Sequence, residues 1–324
     1  MCTAVTCKTK DFYFGRTLDY EFSYGEEVTI TPKNYHFKFR NGNFLIVHYA
    51  LIGMAHVADD YPLYYEAVNE CGLGMAGLNF PGNAVYNEKR NDKDNVAQFE
   101  LIPWLLGKCA SVDEARYLLE NINITNEPFN DKYPVSPLHW LIADSKECIV
   151  VEAVKEGLKI YENPVGVMTN NPPFDKQLFN LNNYRHLSNA ELPSTFSDNL
   201  KLESYSRGLG GLGLPGDVSS MSRFVRASFV KMNSVSSDDE VSSVNQFFHI
   251  LNSVEQVRGC CKLKENTFEI TIYSSCCNAT RGIYYYTTYN NHMINAIDMH
   301  KENLDSEKLI RYSLIDKEQI NYIN

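Results

Sequence analysis

The order of strand-like and helix-like segments is the feature that most constrains how this chain folds. The segments run in the order strands, helices, strands, helices and strands, over residues 2–80, 97–122, 138–163, 174–254 and 268–299. A polar turn at 8–11 between two apolar runs predicts a hairpin at the start of the chain. Because strands occupy both ends, we expect one domain, residues 1–324, with the termini meeting in a central layer.

Local signals refine this order. Ser111 followed by Glu114 forms a capping box, which predicts that a helix begins at residue 112. The apolar run 44–54 predicts one continuous strand. Segment 188–217 has no apolar periodicity, so we expect an irregular surface loop. Its GLGGLG motif does not follow a strand in a βαβ unit, which argues against a dinucleotide fingerprint.

Composition excludes several kinds of partner. The formal net charge is −10, and without a basic run the chain is not expected to bind nucleic acid. No apolar stretch approaches the roughly 18 residues that a membrane span needs, so we expect no membrane partner. The nine cysteines include no C-x-x-C pair and no Cys/His spacing typical of zinc. We therefore expect no metal, no cofactor, free thiols and a cytoplasmic location.

Cys2 directly follows Met1, and a small penultimate residue permits removal of the methionine. Cys2 then carries both a thiol nucleophile and a free α-amine, whose ordinary pKa of about 7.7–8.0 suits a base near neutral pH. No apolar leader of 7–15 residues precedes it, which argues against lipid attachment. The alternative is an ordinary small buried side chain.

Two charged residues lie on the second strand of the predicted hairpin, in FGRTLD. If the turn falls at 8–11, this strand runs back beside Cys2. Asp19 is then placed to accept a hydrogen bond from the α-amine, and Arg16 to favour the thiolate. The alternative is an exposed ion pair on a strand.

Two asparagines follow predicted strands, Asn79 in GLNFP and Asn170 in VMTNNPP. Asparagine amides and backbone N–H groups are suitable oxyanion donors, although each residue also fits an ordinary turn. Arg223, in MSRFVRA, lies on a predicted helix. The alternative for Arg223 is an ordinary position on a solvated helix face, although Arg226 fits that description better.

Taken together, the chain resembles the bile salt hydrolases, in the choloylglycine hydrolase and penicillin V acylase group of N-terminal-nucleophile hydrolases. The resemblance covers essentially the whole chain, in the family's order and spacing. The segments that carry it are MCTAVT, FGRTLDYEFSYGE, DDYPLYYEAVNECGLGMAGLNFPG, LHWLIADSKECIVVE, NPVGVMTNNPPFD, GLGLPGDVSSMSRFVRASF, QFFHILNSVEQVRG and GIYYYTTYNNHMINAIDM.

The resemblance implies particular catalytic roles. The matching positions are Cys2, Arg16, Asp19, Asn79, Asn170 and Arg223. Cys2 matches the nucleophile, while the Asn79 backbone N–H and the Asn170 side chain match the oxyanion donors. Thr17 stands where asparagine is usual and Asn171 where serine is common. The second departure leaves open which of two adjacent amides faces the oxyanion.

The resemblance also implies an α+β fold, a four-layer αββα sandwich, and hydrolysis of glycine- or taurine-conjugated bile salts. Penicillin V acylase activity is the nearest alternative, although Asn79 favours bile salts because acylases of that type tend to carry tyrosine there. The second alternative is a non-enzymatic module that binds sterols. The implied assembly is a homotetramer clasped through 188–217. The expected sterol-contacting residues are Leu18, Tyr24, Ala58, Phe129 and Val135.

Overall fold

The computed structural model describes residues 1–324. The helices are α1 (Leu101–Lys108), α2 (Val112–Leu119), α3 (Phe174–Asn180), α4 (Ser220–Asn233) and α5 (Glu240–Asn252). The strands are β1 (Cys2–Lys8), β2 (Phe12–Tyr20), β3 (Glu27–Thr31), β4 (Phe37–Lys38), β5 (Phe44–Leu45), β6 (Leu51–Ala58), β7 (Tyr61–Asn69), β8 (Gly74–Asn79), β9 (Asp94–Ala97), β10 (Ile122–Thr125), β11 (Leu138–Ala143), β12 (Cys148–Val154), β13 (Gly157–Glu162), β14 (Val167–Met168), β15 (Lys262–Lys264), β16 (Thr267–Phe268), β17 (Ile270–Asn278), β18 (Ile283–Thr288), β19 (Asn291–Asp298) and β20 (Ile310–Ser313). None of the helices combines the length and the apolar character needed to cross a membrane.

Two antiparallel sheets form the centre of the molecule. One has the strand order β14-β1-β2-β17-β18-β19 and the other the order β13-β12-β11-β8-β7-β6-β3-β20. Strands β1 and β2 contact β7 and β8 across the interface between the sheets, while α4 and α5 cover the first sheet and α1 covers the second. The predicted four-layer αββα sandwich is therefore confirmed.

Successive side chains of a strand point to opposite faces of the sheet. In the hairpin formed by β1 and β2, this alternation determines whether a side chain points to the helices or to the second sheet. Thr3 and Thr17 are directly opposite each other, and Thr3 Oγ1 accepts a hydrogen bond of 2.6 Å from Arg223 on α4. Arg16 points the other way and donates to the carbonyl of Gly77 on β8 at 2.7 Å. The hairpin thus presents one face to a helix and the other to the second sheet.

Several local predictions are confirmed. The hairpin turn lies between β1 and β2 at residues 9–11, and Ser111 Oγ accepts from the Glu114 N–H at 3.3 Å as α2 begins. Segment 188–217 contains only a short 3₁₀ turn at Leu209–Gly211, as expected for an irregular loop.

Other predictions are wrong in detail. The run 44–54 is not one strand, because β5 ends at Leu45 and β6 begins at Leu51. Between them His48 turns inward, and its ring nitrogens lie 2.7 Å and 2.8 Å from the carbonyl oxygens of Tyr49 and Tyr35. The predicted helical segment 174–254 is not continuous, because its first helix, α3, ends at Asn180 and is followed by a 3₁₀ turn. Strand β20 was not predicted, because its IRYS sequence is short and half polar.

Candidate active site

Cys2 is the first residue of β1 and is buried. Its backbone nitrogen donates a hydrogen bond of 2.7 Å to Oδ1 of Asn170, which follows β14. Its carbonyl oxygen accepts one of 2.6 Å from Nη1 of Arg223. Because removal of Met1 converts this backbone nitrogen into the α-amine, the contact with Asn170 marks where the amine lies in the processed chain.

The Asn170 side chain is fixed at both ends. Oδ1 also accepts from Arg223 Nη2 at 2.8 Å, and Nδ2 donates to the carbonyl of Asn79 at 2.7 Å. One N–H of Nδ2 is left for another acceptor. The adjacent Asn171 instead directs its Nδ2 to the carbonyl of Pro81, at 2.8 Å. Of the two neighbouring amides, the one of Asn170 lies beside Cys2.

Arg223 is buried within the protein and does not lie on a solvated helix face. Its guanidinium binds Cys2 and Asn170 as described, and its Nη1 lies 3.8 Å from Oδ2 of Asp19. Burial lowers the pKa of Arg223, while Asp19 and Cys2 act in the opposite direction. This one side chain links the Cys2 backbone, the Asn170 amide and the buried carboxylate of Asp19.

Asp19 is held by two hydroxyl groups. Thr271 donates to Oδ1 at 2.7 Å and Thr17 donates to Oδ2 at 3.2 Å. Burial raises the pKa of the Asp19 carboxyl, and Arg223 opposes that shift. Thr17, the departure from the family's usual asparagine, also accepts from the Thr3 N–H at 3.1 Å. It therefore supplies polar contacts on the face of the hairpin that carries Asp19.

Met1 occupies the space beside the Cys2 nitrogen. Its carbonyl accepts from the Asp19 N–H at 2.9 Å, its ammonium donates to the Asp19 carbonyl at 2.7 Å, and the ammonium also contacts Glu269. While Met1 is attached, the Cys2 nitrogen is an amide and donates to Asn170. The hydrogen bond expected between the Asp19 carboxylate and a free α-amine remains a prediction for the processed chain.

Arg16 reaches across the space between the sheets. Nη1 donates to the carbonyls of Gly77 and Tyr65, at 2.7 Å and 3.1 Å. Nε lies 3.8 Å from Oε2 of Glu66, whose side chain is also excluded from solvent. Burial alone lowers the pKa of Arg16, but the acidic groups around it, Cys2 foremost, raise it overall. The guanidinium thus stays charged in the interior.

Glu66 belongs to β7 of the second sheet, yet its hydrogen bonds reach the first. Its carboxylate accepts from Tyr273 at 2.7 Å and Ser275 at 2.9 Å, both on β17, and from Tyr284 on β18. Burial raises the pKa of Glu66, whereas Arg16 and these hydroxyls oppose the shift. Sequence reasoning missed this residue; a charge within the apolar run YYEAVN was the available signal.

The residues expected to contact a sterol are partly brought together. Leu18 is directly opposite Cys2 in the β1–β2 pair. Four rings follow one another as neighbours. The ring centroids of Tyr24 and His56 are 6.4 Å apart, and those of His56 and Tyr133 are 5.1 Å apart. The centroids of Tyr133 and Phe129 are 6.2 Å apart. We call these four rings the aromatic series. Ala58 ends the strand that carries His56, and Val135 is half-buried two residues beyond Tyr133.

A polar cavity lies elsewhere in the molecule. It has a volume of about 450 Å³ and contains none of the predicted site residues. Its lining comes from the far end of β1, the turn at 144–147 and the start of β12, and it includes Cys7, Cys148 and Lys231. Because β1 runs away from the N-terminus, this polar cavity does not serve Cys2.

Further residues support Asn170 and were not predicted. Ser220 Oγ accepts from the Asn170 N–H at 2.9 Å, and Gln177 Nε2 donates to the Asn170 carbonyl at 2.5 Å. Gln177 is fully buried on α3, whereas the FDKQLFN sequence offered only a polar residue on an otherwise apolar face as a signal. The backbone on either side of the Asn170 side chain is therefore fixed.

An αββα sandwich with a cysteine at the head of a central strand, beside a fixed asparagine amide, defines an N-terminal-nucleophile hydrolase of amides. The comparisons with known proteins agree. The family model described as linear amide C–N hydrolases, choloylglycine hydrolase family, matches residues 2–312. The chain belongs to this family.

Individual relatives are similar over the full length. The chain is 56% identical over 324 residues to the bile salt hydrolase/transferase of Lactiplantibacillus plantarum, covering 100% of both chains. A variant of the conjugated bile acid hydrolase from Clostridium perfringens has a similar structure, with a TM-score of 0.93, 38% identity and 100% coverage of both chains. Penicillin V acylase from Agrobacterium tumefaciens shares the fold, with a TM-score of 0.76, 20% identity and coverage of 97% and 91%.

Proposed function

We propose that this chain hydrolyses the amide that joins a steroid carboxyl group to glycine or taurine, with Cys2 as the nucleophile. The observation that carries the proposal is the hydrogen bond from the Cys2 nitrogen to Oδ1 of Asn170. This nitrogen becomes the α-amine when Met1 is removed, and Asn170 carries the amide that we assign to the oxyanion. The similarity to full-length enzymes named for bile salts supports this substrate class.

The chemistry proceeds in two halves. The α-amine takes the thiol proton of Cys2, and the thiolate attacks the amide carbonyl. The Asn79 backbone N–H and the Asn170 Nδ2 bind the oxyanion. The tetrahedral intermediate collapses as the α-ammonium protonates the leaving amine, which departs as glycine or taurine. The α-amine then removes a proton from water, which attacks the thioester and releases the free steroid acid.

The three charged residues have separate tasks in this scheme. Arg16 and Arg223 provide the positive charge that favours a thiolate at Cys2. Arg223 also orients Asn170 by donating to its Oδ1. Asp19 holds Arg223 from the other side and, once Met1 is removed, orients the α-amine.

Leu18 and the aromatic series, with Ala58 and Val135, form the proposed sterol-contacting surface. A rigid apolar steroid needs an apolar cleft, and rings provide large contact area. The formal net charge of −10 repels an anionic conjugate at long range, so binding rests on these local contacts.

The test is amino-acid release from glycocholate and taurocholate, detected with ninhydrin. Release from either conjugate supports the proposal and gives the leaving-group preference. Hydrolysis of penicillin V without release from either bile salt favours the acylase alternative. Calorimetric binding of glycocholate without release favours a non-enzymatic sterol-binding module.

The thioester intermediate also allows a second activity. Several relatives are named bile salt hydrolase/transferase. An amine that reaches the acyl-enzyme before water forms a new amide, with the α-amine of Cys2 accepting the proton. Incubation with cholate conjugates and an excess of a different amino acid tests this, since mass spectrometry detects the exchanged conjugate.

We also propose a cytoplasmic homotetramer assembled through segment 188–217. Large apolar side chains are exposed along this loop, with Phe196 78% and Tyr205 85% accessible. Exposed apolar clusters of this kind are typical of contact surfaces. Light scattering on the native chain and on a Phe196→Ser/Tyr205→Ser variant tests the assembly: a tetramer that the double substitution dissociates supports it, and a monomeric native chain contradicts it.

A further inference from the structure

His139 and Glu152 form a buried pair that the proposed chemistry does not use. His139 lies on β11 and Glu152 on the neighbouring β12, and both side chains are fully buried. The imidazole Nδ1 lies 3.0 Å from Glu152 Oε1, and Nε2 lies 2.8 Å from the carbonyl oxygen of Thr169. Burying a pair of ionisable groups costs free energy that only well-formed hydrogen bonds offset. The contacts of this pair therefore indicate what it holds in place.

The pair holds both ends of the segment that carries Asn170. His139 binds the Thr169 carbonyl, immediately before Asn170. Glu152 Oε1 accepts a hydrogen bond of 3.0 Å from the N–H of Phe174, where α3 begins. The short segment between these two anchors therefore cannot shift without breaking a hydrogen bond in the interior.

The same imidazole also contacts the residue that follows the other proposed oxyanion residue, Asn79. The ring of Phe80, directly after Asn79, stacks on His139 with a centroid distance of 4.2 Å and an interplanar angle of 4°. In the β8–β11 pair, Asn79 is opposite Leu138, the residue before His139. His139 thus contacts a sequence neighbour of each proposed oxyanion residue, Phe80 beside Asn79 and Thr169 beside Asn170.

The hydrogen bonds also fix where the protons lie. A carbonyl oxygen only accepts, so Nε2 of His139 carries a proton. The Nδ1–Oε1 hydrogen bond requires a second proton between the two groups. The pair therefore holds two protons and has no net charge. Oε1 accepts from two donors at once. A neutral carboxamide in place of Glu152 can keep both contacts only opposite a charged imidazolium, which then lacks its counter-charge.

We propose that His139 and Glu152 are positioning residues that set the geometry of the oxyanion site by fixing the Thr169 carbonyl and the Phe174 N–H on either side of Asn170. This rests on the proposed function, in which Asn79 and Asn170 bind the oxyanion. The pair touches no reacting atom. Its effect passes through Asn170, whose amide must lie within about 0.5 Å of its productive position.

Two substitutions at one position separate this role from simple packing. The amide of His139→Gln reaches the position of Nε2 and can still donate to Thr169. The amide of His139→Asn reaches only the position of Nδ1, beside Glu152. Both variants disturb the buried pair and lower the melting temperature. His48→Gln is the matched control, because His48 is also buried with both ring nitrogens at backbone carbonyls, and it lies in the loop between β5 and β6.

We expect kcat for glycocholate to be at least about tenfold lower in His139→Asn than in His139→Gln, with KM within about twofold, since a misplaced oxyanion donor weakens the transition state alone. His48→Gln should keep kcat within about twofold. Glu152→Gln should lower kcat as His139→Asn does. Equal kcat values for His139→Gln and His139→Asn, measured well below both melting temperatures, overturn the proposal.

Hydrogen exchange gives a readout that needs no activity. Backbone amides over 169–174 should exchange faster in His139→Asn than in His139→Gln, while His48→Gln leaves them unchanged. Unchanged exchange in His139→Asn overturns the proposed anchoring. If the native chain releases no amino acid from any conjugate, the proposed function fails, and the exchange experiment still decides whether the pair fixes this segment.

Discussion

The backbone nitrogen of Cys2 lies 2.7 Å from Oδ1 of Asn170, a residue 168 positions away in sequence. Because Oδ1 faces this nitrogen and Arg223, the Nδ2 group of the same amide faces Asn79. In the proposed mechanism, Oδ1 of this asparagine accepts from the α-amine, and Nδ2 donates to the oxyanion. The proposed base therefore lies directly beside the proposed site of negative charge.

Cys2→Ala should remain folded and be inactive, because the substitution removes the nucleophile and leaves the backbone contacts in place. Cys2→Ser should keep the geometry and lose orders of magnitude in kcat, since a hydroxyl is the poorer nucleophile. Circular dichroism with glycine release from glycocholate checks both. Substantial turnover by a folded Cys2→Ala chain contradicts the assignment.

Asn170→Asp should lower kcat by about 10²–10³-fold with little change in KM, because it removes an oxyanion donor and retains the shape of the side chain. The neighbouring Asn171→Ala is the control, since that amide points to the carbonyl of Pro81. Steady-state kinetics on glycocholate distinguish the two. Comparable losses in both variants would mean that the adjacent amides are not separated in the way the geometry indicates.

Arg16 and Glu66 should be coupled in stability. Each is buried, and removal of one leaves the other without its opposite charge. Glu66→Gln and Arg16→Met should each destabilise the fold, and the double variant should be more stable than the sum predicts, by about 0.5–3 kcal/mol. Urea unfolding of the four chains measures this. Additive effects would show that the 3.8 Å separation carries no coupling.

Glu100 should make stability depend on pH. Burial raises its pKa from the ordinary value of 4.5 to about 7, against hydrogen bonds from the N–H groups of Ala97 and Arg40. The folded state therefore binds this proton more tightly than the unfolded state, so the contribution to stability is complete below pH 4.5 and is lost as the pH rises through 7.

Glu100→Gln removes this titration. The difference in melting temperature, variant minus native chain, should be larger at pH 7 than at pH 4.5. A hydrogen bond lost in the variant shifts this difference by the same amount at both pH values. Differential scanning calorimetry at the two pH values measures the change. A difference in melting temperature that stays constant with pH contradicts the expectation.

The sequence predicted those parts of the fold that depend on neighbouring residues. The polar turn at 9–11 makes β1 and β2 a hairpin, and Ser111 begins α2 as its capping box indicates. The pairing of β20 with β3 joins segments about 280 residues apart, and nothing in IRYS predicts it. Strand alternation restricts the fold class, but the αββα arrangement was implied by the resemblance rather than by periodicity.

The candidate site likewise contains contacts that the local sequence predicts and contacts that only the fold creates. Register within the hairpin places Leu18 opposite Cys2, which the local sequence predicts. The hydroxyl of Thr271 reaches Asp19 from 252 residues away, and only the folded sheet brings β17 beside β2. His139 and Glu66 were missed for the same reason. The role of a buried polar group depends on its partners, and only the fold brings those partners beside it.

The central claim is that Cys2 acts as an N-terminal residue. A chain carrying a cleavable N-terminal tag, removed by a protease that leaves Cys2 first, tests it most directly. Intact mass spectrometry verifies each form, and amino-acid release from glycocholate and taurocholate measures activity. We predict no release before cleavage and release after it, with a cleaved Cys2→Ala chain inactive as the control. A tagged chain that turns over as fast as the cleaved chain would contradict the account.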